Sequence, residues 1–104
     1  MQWWDDIWLN EGFATYWSSV AVNDIHPEYR LAEYFVYASV QTAMQYDVGS
    51  IHPLHYDGLT TPAETRYGFD TISYDKGASI LRMTNATLGE AAFIQGLKNY
   101  LDTQ

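Results

Sequence analysis

Apolar residues recur along the chain at helical spacing, and the pattern predicts four helices. From about Asn10 to Asn23, Phe13, Tyr16, Trp17 and Val20 stand at i, i+3, i+4 and i+7 and make one apolar face. Glu11, Ala14, Thr15 and Ser18 fall on the neighbouring face. A second helix is expected to open at His26-Pro27-Glu28. Proline at the first helical position has no N–H to leave unsatisfied, and Glu28 suits the positive end of the helix dipole. That helix runs to about Tyr46 with apolar residues around much of its circumference, so it expects cover on more than one side. A third helix starts near Asp70 or Thr71, both good N-caps, and sets Tyr74, Ala78 and Leu81 in one row. Gly77 lies inside it, where glycine costs about 1 kcal/mol against alanine, so close packing is the expected reason. Thr87-Leu88-Gly89-Glu90 reads as a capping box that opens a fourth helix, with Phe93, Leu97, Tyr100 and Leu101 as its buried face.

Between Asp47 and Arg66 the periodicity breaks. Gly49, Pro53, Gly58 and Pro62 punctuate the stretch and predict a long loop, with one short helical turn at Pro62-Ala63-Glu64. A loop of that length inside a compact domain is more often functional than decorative. Strand-type alternation is absent from the sequence, as are internal repeats and low-complexity tracts. The fold class is therefore all-α, with about four helices and one long loop.

Composition narrows the partners more than the fold. The 104 residues suffice for one small domain with a modest core, and 47% are hydrophobic. Thirteen acids against five bases give a net charge of −8, which disfavours nucleic acid and anionic membrane surfaces. No apolar run reaches the length of a membrane span. The absence of cysteine removes disulfides and thiolate metal sites. Bulky aromatics at the very start, MQWWDDIW, are unusual for a natural N-terminus and point to a chain cut from a longer one.

Candidate chemistry is sparse when residues are taken one at a time. His52 and His55 stand three apart, but Pro53 between them removes helical ligand geometry, and they read as loop or capping histidines ahead of a metal pair. His-Glu-x-x-His, nucleophile-elbow, Gly-x-Gly-x-x-Gly and P-loop patterns are all missing. Asn85-Ala86-Thr87 is a glycosylation sequon, of consequence only in a secretory compartment. By spacing alone, Glu11 is a solvated first-turn carboxylate and Tyr74 a core or interface residue.

Taken together, WWDDIWLNEGFATY, HPL, TPAE, FDTISYDKGASILRM and GLKNYL change that picture. In their order and separations they resemble the gluzincin zinc aminopeptidases of the aminopeptidase N type. WLNEGFA and ISYDKGAS are the most specific of these motifs, and they stand about 60 residues apart. The resemblance implies the helical C-terminal part of a thermolysin-like metallopeptidase catalytic domain, so that residues 1–104 form a single partial domain. It also implies removal of N-terminal residues from peptides by zinc-activated water. Glu11 matches the family's third zinc ligand, with Asn10 beside it and Gly12 keeping the approach open. Tyr74 matches the tyrosine that hydrogen-bonds the developing oxyanion. Asn10, Asp75 and Lys76 receive no role.

The departures are informative too. The family's His-Glu-x-x-His helix, which carries two zinc ligands and the general base, would fall upstream of Met1. The segment that captures the substrate's free amine is also absent. One of three protein ligands for Zn2+ is thus present, and the isolated chain is expected to be inactive and to hold no stoichiometric zinc. Its partners would be peptide substrates of a parent enzyme and the missing upstream part of the catalytic domain. Many members carry a glutamate where this chain has Ser18, which keeps a non-catalytic relative in view. A different reading is an acidic helical interaction domain that binds a protein through Trp3, Trp4 and Trp8. Compartment is undetermined, with the sequon leaning toward a cell-surface or extracellular parent and a cytoplasmic one equally compatible with the composition.

Overall fold

Helix α1 spans Ile7–Ile25 and is entered through a 3-10 turn at Trp4–Asp6. It is longer at both ends than the apolar spacing predicts. Asp5 and Asp6 precede its first turn, where the positive helix end favours negative charge. The computed structural model describes residues 4–49 and 52–103, so Trp3 lies outside the described residues.

Helix α2 occupies residues 31–47, as Leu31–Phe35, a wide π turn at Val36–Val40, and Gln41–Asp47. The expected opening at His26-Pro27-Glu28 is corrected. Pro27–Tyr29 form a separate 3-10 turn, and Arg30 then takes φ 52° and ψ 41°. That left-handed conformation cannot continue a right-handed helix, so α2 starts after it.

Helix α3 is the single turn Pro62–Thr65. Helix α4 covers residues 72–88, a π turn at Ile72–Lys76 leading into Gly77–Leu88, and α5 spans Glu90–Asp102. Among the described residues all regular structure is helical.

The capping box sits at a different place from the one expected. Thr87 lies in the last turn of α4, and its Oγ1 donates back to the Met83 carbonyl at 2.8 Å. Gly89, at φ 84°, makes the break between α4 and α5. The reciprocal box belongs to Thr61 and Glu64 at the start of α3, where Glu64 N donates to Thr61 Oγ1 at 3.3 Å and Thr61 N to Glu64 Oε2 at 2.9 Å.

Helix α1 lies along α4, α2 packs against both, and α5 folds back beside them. The α1–α4 crossing is made through glycines. A Cβ added to Gly12 would stand 2.8 Å from the Gly77 carbonyl carbon, and one on Gly77 would stand 3.0 Å from the Trp8 carbonyl oxygen. Close packing at Gly77 is therefore what its sequence position predicts, and Gly12 supplies the other half. The space beside Gly12 is taken up by the backbone of α4.

Tyr16, Phe35, Ala78, Leu81 and Phe93 form the buried cluster, with Leu9, Phe13, Trp17, Val20 and Val40 packed around it. Phe35 and Phe93 meet Tyr16 edge-on, at ring-centroid distances of 6.1 and 6.4 Å. Such pairs add about 0.5–1.5 kcal/mol each beyond the area they bury. Of the face expected to be buried on α5, only Phe93 is; Leu97 and Tyr100 are half-buried and Leu101 is exposed. Helix α2 buries Phe35, Ser39 and Ala43 but leaves Tyr34, Tyr37, Met44 and Tyr46 exposed. Its second apolar side stays uncovered.

Candidate functional site

The glycine crossing decides which side chains meet. Glu11 precedes Gly12 on α1, and Tyr74 stands three residues before Gly77 in the π turn of α4. Backbone-to-backbone approach at the glycines brings the Tyr74 phenol near the Glu11 carboxylate, close enough to feel its charge. Both residues are half-buried. Burial first, and then the Glu11 carboxylate, push the Tyr74 phenol above its ordinary value. The phenol thus keeps its proton and acts as a donor. Asn10 Nδ2 donates to Glu11 Oε1 at 3.1 Å, a contact the motif left without a role.

The π turn that carries Tyr74 is held from three directions. Asp75, raised above its ordinary value chiefly by burial, lies beside the Ser39 hydroxyl of the π turn of α2, which partly offsets that rise. Lys76 Nζ donates to Asp47 Oδ1 at 2.6 Å, tying the turn to the end of α2. At its start, Asp70 Oδ1 accepts from Ile72 N at 3.0 Å and Ser73 N at 3.1 Å. The Asp70 carbonyl accepts from Tyr74 N at 3.0 Å.

Both loop histidines are structural, as expected. His52 is buried, with Nε2 2.9 Å from Asp70 Oδ2 and Nδ1 2.7 Å from the Pro53 carbonyl. A carboxylate and a carbonyl can only accept, so the ring is held between two acceptors. His55 bridges Asp6 Oδ1 at 2.8 Å and Asp57 Oδ1 at 2.9 Å, and Asp6 is the main cause of its raised pKa. The loop therefore clasps the start of α1 to the start of α4. Sequence reasoning found the cap at Asp70 but missed His52, which backs it, and Ser39, which lies beside Asp75. The HPL segment was the available signal for the first.

Three expected features fare differently. Ser18 is exposed and its Oγ donates to the Thr15 carbonyl at 2.9 Å, so it adds nothing beside Glu11. Asn85 Nδ2, the atom a glycan would take, donates to Tyr16 Oη at 2.6 Å within α4, which withdraws the support the sequon gave to a secretory setting. Trp8 is half-buried against Gly77 rather than displayed, which leaves Trp4 as the exposed member of its trio among the described residues.

A catalytic zinc takes about three protein ligands. Among the described residues no group of three His, Cys, Asp or Glu side chains could hold a metal ion, and the two loop histidines lie against Asp70, Asp6 and Asp57. Glu11 alone does not fit the ion, and no chemical step is derived through a metal in this chain. Nor is any helix of the described residues long and apolar enough to cross a membrane.

Residues 1–104 match the Peptidase family M1 domain. A leucyl aminopeptidase of Saccharolobus solfataricus is 44% identical over 102 residues, covering 97% of this chain and 13% of that protein. Aminopeptidase N of Homo sapiens is 42% identical over 106 residues, covering 99% of this chain and 11% of that protein. Endoplasmic reticulum aminopeptidase 1 of Homo sapiens is 43% identical over 102 residues, with coverages of 97% and 11%. The chain spans 11–13% of the length of these relatives.

Proposed function

The chain belongs to peptidase family M1, and from that premise we propose that it is the helical part of a zinc aminopeptidase catalytic domain, contributing one metal ligand and one oxyanion donor. Glu11 would supply the carboxylate ligand and Tyr74 the phenol. When bound, zinc would polarise the scissile carbonyl and activate water. The observation that carries the reading is the meeting of these two residues, which lie far apart in sequence and are brought together by the Gly12–Gly77 crossing.

This chain's own residues do the positioning. Asn10 holds one oxygen of Glu11. The caps on the π turn orient the phenol, and its raised pKa keeps the proton available for donation to developing negative charge. The remaining zinc ligands, the general base and the group that captures the free amine would come from outside these 104 residues. Peptides are the proposed substrates.

The test is a graft. This chain replaces the corresponding segment of one of its relatives, such as the Saccharolobus solfataricus leucyl aminopeptidase, and hydrolysis of an aminoacyl anilide is measured with zinc content. The unmodified graft should bind zinc and turn over. Glu11→Gln should lose zinc, and Tyr74→Phe should keep zinc while losing roughly a hundredfold to a thousandfold in kcat, the usual loss for one oxyanion donor. A folded, zinc-loaded graft that is inactive, or a Tyr74→Phe graft at full rate, refutes the assignment. The isolated chain should neither bind stoichiometric zinc nor release amino acids.

A further inference from the structure

We propose that His52 is a positioning residue for Tyr74, acting through Asp70. The functional sense of this proposal rests on the reading of Tyr74 given above; its geometric content does not. Asp70 is the node. One carboxylate oxygen accepts from the amides of Ile72 and Ser73, its backbone carbonyl accepts from the amide of Tyr74, and its other carboxylate oxygen faces His52 Nε2 at 2.9 Å. These contacts fix both the direction of the Asp70 side chain and the first turn of α4.

A capping aspartate with a free second oxygen can swing away from the helix start and let the first turn fray. Here that oxygen is held by a buried donor, His52 being 7% exposed. The imidazole is itself pinned, by the Pro53 carbonyl at 2.7 Å and by the Tyr56 ring, whose centroid lies 4.8 Å away. Tyr56 N in turn donates to the Asp5 carbonyl at 3.2 Å, just before α1. The route from the base of α1 through Tyr56, His52 and Asp70 ends at the turn that presents Tyr74. The same loop thereby references both helices whose crossing makes the site, so the approach of Tyr74 to Glu11 depends on the loop as well as on the glycines.

A local role of this kind is separable from general stabilisation. Amide exchange is measured residue by residue on the parent chain, His52→Ala and His52→Gln. In His52→Ala, Ile72, Ser73 and Tyr74 should exchange roughly tenfold faster, the size expected when a hydrogen bond to a charged group is lost, while the amides of α5 stay at the parent rate. His52→Gln, whose side-chain amide can still donate to Asp70, should fall back toward the parent. Unchanged exchange at Ile72–Tyr74 in both variants overturns the proposal, as does an equal acceleration in α5 or a parent chain with no protection at these amides. If His52→Ala does not fold, the graft carrying His52→Gln decides. A lower kcat with KM within about twofold of the unmodified graft supports positioning, and a change confined to KM overturns it. Because exchange is read without turnover, failure of this proposal and failure of the aminopeptidase reading are told apart.

Discussion

Asp75 sits one residue after the proposed oxyanion donor and is charged at a cost. Burial raises its carboxyl above the ordinary aspartate value of about 4, and the Ser39 hydroxyl only partly offsets this. A folded-state pKa above the unfolded one means that the native chain holds the proton more tightly. Stability therefore falls as pH rises from the unfolded value through the folded one, and the penalty is complete above the folded value. Asp75→Asn removes the charge and keeps an acceptor for Ser39. Its melting temperature should exceed the parent's at pH 7, and the difference should vanish near pH 3, where Asp75 is protonated in both states. A variant less stable than the parent at pH 7 would show that the ionised carboxylate is itself a stabilising partner. His55 moves stability in the same direction with pH, through a gain by the charged form rather than a penalty on it. Its raised pKa gives stability that is present below the unfolded value of about 6.5 and is lost as pH rises through the folded one. Exchange at the amide of Tyr56, beside this clasp, should therefore quicken on raising the pH once intrinsic base catalysis of exchange is subtracted.

At the level of elements, the Gly12–Gly77 crossing sets the spacing of everything at the site. Gly12→Ala places a methyl carbon 2.8 Å from helix backbone, and backbone cannot rotate away as a side-chain end can. Alanine favours the helix by up to about 1 kcal/mol, but overpacking costs about 1–3 kcal/mol, so a net loss is expected in denaturant unfolding. Separation of Glu11 from Tyr74 should accompany it, visible as a fall of the Tyr74 phenol toward its ordinary pKa. Sequence reading reached much of this architecture and failed where conformation depends on local backbone competition. Asp70 as a cap, the turn at Pro62 and the close packing at Gly77 were legible, because each is a local preference that the tertiary structure kept. The break at Arg30 was not, since an arginine carries no signal for a left-handed φ. The box at Thr87 was misplaced because the same four-residue signature fits any helix start. Here α4 runs on through Leu88 and Gly89 turns the chain, while a second copy of the signature at Thr61–Glu64 is the one used. The π turns left no trace in the apolar spacing. The pairing of Glu11 with Tyr74 was legible only through the family resemblance, because helix crossings are not written in the periodicity of either helix.

The whole molecule is more open than its length requires. Its radius of gyration is 14.4 Å, where a compact domain of this size measures about 13 Å, and its dimensions are 41 × 35 × 22 Å. The excess comes with uncovered apolar surface. Tyr37 is 68% exposed and Met44 66% on the outer side of α2. A groove of about 350 Å3 runs between α1 and α5, walled by Leu9, Phe13, Trp17, Leu97 and Tyr100. An apolar groove beside an exposed helix face leaves solvent in contact with surface that a self-sufficient domain buries. Surface of this kind suits a chain that packs against further protein, and the chain spans 11–13% of the length of its relatives. The 104-residue chain should therefore bind ANS at neutral pH and unfold over a broad range of denaturant. In the graft the same residues should unfold with the rest of the catalytic domain and bind no dye. The m-value of the isolated chain should fall below that expected for its length, because part of its apolar surface is exposed before unfolding begins. A sharp transition of full m-value without dye binding would mean that the groove and the outer side of α2 close on themselves in solution, and that the chain stands as a domain of its own.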